Sequence, residues 1–179
     1  MMAVAALVQW VALASLTGLV GAATVDLFVL PSAVPELAPA RRELRRWLGV
    51  NVITLGVASI GQLLVRTRTM SGGDLAAIVA AVPSVLLHTH FGMIWIGRFA
   101  ALAAMAILYR LSSRAARVLM FVLAAALALT TSLTGHAADS GDVSLMVLVD
   151  YAHVLGATAW MGGLFAFALI MMRSAPAWP

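Results

Sequence analysis

The chain has 179 residues, of which 63% are hydrophobic and 10% charged, and its mean hydropathy is +1.04. A soluble domain needs far more polar surface than this, so lipid is the expected solvent, and the length suits one bundle of about five spans with no separate soluble domain. The absence of cysteine excludes a disulfide framework, thiolate metal sites, iron–sulfur clusters and covalent haem attachment. The net charge of +4 comes from arginines alone, set mostly in short loops between apolar runs, which is a topology signal and not a nucleic-acid-binding one.

The first apolar run, from Val4 to Leu30, has no basic segment ahead of it and is read as a span, not a signal peptide. Pro31 closes it, and a loop carrying Arg41, Arg42, Arg45 and Arg46 leads to a second span from Leu48 to Val65. After the connector "RTRTMSGGD", the segment "LAAIVAAVPSVLLHTH" is too short to cross a bilayer and contains Pro83. It is expected as a short periplasmic surface helix with Ser71 or Asp74 at its N-cap. Spans three to five are placed at 91–109, 118–134 and 145–172. The fold class is thus all-α, a polytopic membrane bundle of about five helices in one domain.

Arginines sort the two ends. Arg41, Arg42, Arg45, Arg46, Arg110, Arg114, Arg117 and Arg173 share one end, against Arg66 and Arg68 with Asp74, Asp139 and Asp142 at the other. Five alternating spans then put the N-terminus outside and the C-terminus in the cytoplasm of a bacterial inner membrane.

All four histidines fall in the outer half. His88 and His90 lie where span three begins, His136 lies at the end of span four, and His153 sits about 12 Å into span five at 1.5 Å per residue. Asp150 and His153 are three apart and share a helical face with Ala157, Trp160 and Met161. A lipid-facing aspartate costs about 2.5–3.5 kcal/mol, so this stripe is expected to face the bundle interior. Arg98 reaches a similar depth, and an Arg98–Asp150 pair would either fix helix register or serve a site. Taken singly, His88, His90 and His136 are solvated or helix-end residues. His153, beside an aspartate within a span, is a functional candidate by position. Imidazole is the commonest metal ligand, and a neighbouring carboxylate can orient its second nitrogen. Thioethers with imidazoles suit Cu(I), yet Met70, Met93, Met146 and Met161 are read as packing. "MGG" at 161–163 and "GAT" at 156–158 are surfaces for close helix approach. Asp26 is read as a cap, a partner of a loop arginine, or the lining of an exit route.

"SLTGHAADSG" followed by "LVDYAHVLGATAWMGGLF" resembles the copper-resistance D (CopD) family of inner-membrane proteins. The matching features are Gly135–His136, Asp150-x-x-His153 and the run Trp160 to Leu164, with Phe91, Gly92 and Arg98 in "HTHFGMIWIGRFAAL" and the opening "LTGLVGAATVDLFVLP". The resemblance implies copper handling, as uptake or delivery from the periplasm, with His136 and His153 as ligands and Asp150 nearby. It also implies about eight spans, of which five are present here. His88 and His90 are added to the ligand set from their position alone.

Three functions follow from these features. The leading one is a copper-binding membrane protein, working with a periplasmic copper carrier, as a homo-oligomer or with a membrane partner. The second is a small b-type cytochrome, with His153 and His88 or His90 holding haem and Arg98 meeting a propionate. The third is an assembly or scaffold subunit. No acid–base or nucleophilic constellation marks an enzyme.

Overall fold

The computed structural model describes residues 2–31, 34–111 and 113–174, with side chains up to Met172. Arg173, used above in the charge count, lies outside the described side chains. The described residues are helical with short connections: α1 (Met2–Thr24), α2 (Ala38–Ser71), α3 (Leu75–His88), α4 (His90–Leu108), α5 (Arg114–Ser132) and α6 (Leu145–Ser174). Five helical segments among them are long and apolar enough to cross a membrane, and α3 is the shorter apolar helix. This is the expected multi-span bundle.

Helix α1 is its spine. It packs on α2, α5 and α6, and its second half is buried on every side, from Ser15 and Leu16 through Leu19, Val20 and Ala23. A helix surrounded in this way needs no polar face. It ends in a π-helical turn, Val25–Val29, where the N–H of Leu30 donates to the carbonyl of Val25 (2.9 Å). Asp26 lies in this turn and lines a small pocket with Arg45 and Arg117.

Helix α2 starts well before the expected second span, so Arg41, Arg42, Arg45 and Arg46 sit on its first turns and not in a loop. The guanidinium of Arg41 donates back to the carbonyls of Pro31 (2.6 Å) and Val34 (2.9 Å), closing the α1–α2 connection. That of Arg45 donates to the carbonyl of Tyr109, so the start of α2 and the end of α4 share one end of the bundle. At the opposite end Gln62 donates to Gln9 (2.7 Å). The two ends are therefore grouped as the arginines predicted.

Asp74 caps α3 as expected, accepting from the N–H of Ala77 (3.0 Å), and Pro83 is accommodated inside the helix. At the α3–α4 corner Thr89 accepts from the N–H of Gly92 (2.9 Å) while donating to the carbonyl of Val85 (2.7 Å). A Cβ on Gly92 would stand 2.2 Å from that same carbonyl oxygen, so glycine is what lets α4 fold back onto α3.

The tightest contact joins α1 to α6. A Cβ on Gly162 would stand 1.9 Å from the Thr17 carbonyl oxygen, and one on Gly21 would stand 1.9 Å from the Gly162 carbonyl carbon. The "MGG" surface thus performs the close approach its composition suggested. Gly156 in "GAT" does not, since a Cβ there meets nothing within 4 Å.

Two predictions follow from this packing. Gly162→Leu should lower stability by at least about 2 kcal/mol through overpacking, while Gly156→Ala should be neutral or slightly stabilising, as read by thermal unfolding in detergent. Asp74→Ala should cost about 1 kcal/mol and raise hydrogen exchange in the first turn of α3.

Candidate functional site

The most deeply placed charge among the described spans is Arg98, two turns into α4 and 3% exposed. Its Nε donates to Oγ of Ser59 on α2 (2.9 Å) and its Nη1 to Oγ1 of Thr130 on α5 (2.5 Å). Both hydroxyls remain free to accept because each donates to a carbonyl of its own helix, Ser59 to Leu55 (2.7 Å) and Thr130 to Leu127 (2.6 Å). Trp95, one turn earlier on the same face, donates from Nε1 to the Ser59 carbonyl (3.0 Å) and lies under the guanidinium, 5.1 Å from ring centroid to Cζ. Phe91 stacks on Trp95 in turn, at 4.1 Å.

The expected Arg98–Asp150 pair is not formed. Helix α4 packs on α2, α3 and α5, whereas α6 packs on α1, α2 and α5, so equal depth along two helices does not bring these side chains together. Helix α5 touches both α4 and α6, while α4 and α6 make no substantial contact with each other.

Arg98 forms the floor of a cavity of about 360 Å³ between α1, α2, α4 and α5. Gln9, Gln62, Arg66, Trp95 and Thr131 line it with Arg98, and no carboxylate does. It lies at the histidine-bearing end, with Gly135, the neighbour of His136, at its edge. The pairing of Ser59 with Gln62 and of Trp95 with Arg98, each three residues apart, was the signal in the sequence that could have found this site. Polar side chains repeat there at helical spacing inside apolar runs.

The histidines are more dispersed. His88 is exposed, its Nδ1 3.2 Å from the carbonyl oxygen of Ser84 in its own helix. His90, at the start of α4, has Nε2 2.6 Å from Oδ2 of Asp142, which ties that helix to the loop before α6. His136 opens a 3₁₀ turn (His136–Ser140) and stands in the open with Nδ1 3.6 Å from Asp139. His153 is exposed on α6. Among the described residues no group of three or more histidine, cysteine, aspartate or glutamate side chains is placed to hold one metal ion.

The α6 stripe is turned outward, contrary to expectation. His153, Ala157, Trp160 and Met161 are exposed and Asp150 is half-buried, while Thr158, Gly162, Ala166 and Ile170 face the core. The cause is the glycine contact described above. Only the small-residue stripe can come close enough to α1, and burying it rotates the Asp150–His153 face away. Met70, Met93, Met146 and Met161, expected as packing, are also exposed. The hydroxyls of Thr130 and Thr134 donate to the carbonyls of Leu127 and Thr130, at the end of α5, whereas Ser132 Oγ is buried without a partner.

Comparison with known proteins adds the functional context. The copper transport protein CutJ of Bacillus subtilis (strain 168) is 28% identical over 138 residues, which cover 72% of this chain and 26% of that protein. The chain therefore spans about a quarter of the length of the curated relative it matches. No solved structure matches it. The family model "Copper resistance protein D-like, N-terminal domain" matches residues 1–146, so this chain, with its five membrane-length helices, belongs to the copper resistance protein D-like family.

Proposed function

We propose that the protein binds copper at the histidine end of its bundle and takes it up, or delivers it, from the periplasmic side of the bacterial inner membrane. The N-terminus is then outside and the C-terminus cytoplasmic, as the arginine distribution favours. Family membership and the likeness to a copper transport protein support the reading. The observation that carries it is the His90–Asp142 contact, 2.6 Å between Nε2 and Oδ2. A carboxylate holding one imidazole nitrogen leaves Nδ1 to meet a metal and raises its basicity, which is a common arrangement around metal-binding histidines.

Copper is cargo here, so it needs ligands that exchange, not a closed cage. His90, His136 and His88 stand at exposed positions from which a periplasmic carrier can hand over the ion. His153, deeper on α6 with Asp150 one turn before it, offers the next imidazole. Their outward face is where a second copy of the chain or a membrane partner would seat, adding the ligands that one copy does not bring together. Cu(I) is the oxidation state that the exposed methionines Met93, Met146 and Met161 favour as co-ligands.

Copper retained by the purified protein, measured by metal analysis, should fall about tenfold or more in His153→Ala and His90→Ala, with a smaller loss in Asp142→Asn. An optical difference spectrum on the same samples tests the competing assignment. A Soret band lost in His153→Ala would replace copper with haem b. Wild-type protein retaining neither metal nor haem would leave a scaffold role.

A further inference from the structure

The cavity above Arg98 has the wrong charge for a bare copper ion. Its floor is a guanidinium, its rim carries Arg66, and no carboxylate lines it. Arg98 has no ion-pair partner among the described residues, and its hydrogen bonds all go to neutral hydroxyls. A charge held this deep is costly unless a counter-charge meets it. Three helices nonetheless build a socket for it, with Ser59 and Thr130 each fixed by a carbonyl of its own helix. We infer that this cavity is a binding site for a small organic monocarboxylate, held end-on by Arg98.

The donor geometry selects the group. Nε is bonded to Ser59 and Nη1 to Thr130, while Nη2 makes no hydrogen bond among the described residues, so the Nη1–Nη2 edge is the one left to present an end-on fork. That fork matches the two oxygens of a carboxylate. The hydroxyl of Thr131 in the wall supplies a further donor beside it. One buried positive charge balances one negative charge, which disfavours a dianion. The size selects the body. About 360 Å³ is at the lower end of small-molecule pockets and far exceeds a halide. Its apolar wall, Leu13 and Leu16 with Trp95 opposite, suits a short aliphatic or aromatic chain behind the carboxylate. This inference stands apart from the copper assignment, since neither the cavity nor Arg98 includes a histidine.

The test uses the full chain in nanodiscs of neutral phosphatidylcholine, titrated calorimetrically with sodium butyrate and sodium benzoate, with sodium chloride and phosphate at matched ionic strength. Saturable carboxylate binding is expected, at least tenfold weaker in Arg98→Lys, which keeps the charge and loses the fork. Leu13→Trp, which fills the cavity and leaves the hydrogen bonds of Arg98 in place, should abolish binding and keeps the test decisive if Arg98 variants fail to fold. Three results would overturn the proposal: no carboxylate binding by the wild type, unchanged affinity in Leu13→Trp, or chloride binding as tightly as butyrate. A response that appears only when phosphatidylglycerol is added to the discs would assign the cavity to a lipid phosphodiester instead.

Discussion

A guanidinium withdrawn from water must have its hydrogens met by fixed acceptors, and in this bundle those acceptors come from separate helices. Arg98 on α4 is bonded to Ser59 on α2 and to Thr130 on α5, so the three helices are held at one depth and one rotation. Trp95 repeats the link to Ser59 one turn away. Apolar side chains in lipid have no comparable preference, because the tails are as apolar as the core. The register of α2, α4 and α5 thus rests on a few polar contacts, while the opposite side of the bundle, α1 with α6, rests on glycine allowing backbone to touch backbone.

These two devices divide the chemistry of the molecule. The glycine contact presents the small face of α6 to α1 and leaves Asp150 and His153 on the outside, where they can meet another protein or a passing ion. The arginine socket encloses a positively charged cavity on the other side of α5. The histidines and the arginine-lined cavity therefore share one end of the bundle without sharing a volume.

The His90–Asp142 contact spans these regions in the chain. It joins the first residue of α4 to the loop ahead of α6, two elements whose helices do not otherwise pack. Copper binding at His90 would act on that tether, and through it on the placement of the α6 N-terminus. His136, exposed, follows directly on Gly135, which lines the cavity.

Much of this was legible in the sequence. Apolar run length alone sets the number of membrane-length helices, because a helix must match the bilayer whatever its neighbours do. The arginine split grouped the helix ends correctly, the Asp74 cap and the "MGG" contact were local signals, and the order of the motifs indicated the family. Rotation and partnership were not legible. Residue spacing shows that Asp150 and His153 share a face, but which face of α6 is buried depends on how closely another helix can approach. That was decided by Gly21 and Thr17, far away in the chain. The same limit hid the partners of Arg98: its depth could be read from the chain, but the hydroxyls that meet it lie on helices brought beside it only by the tertiary fold.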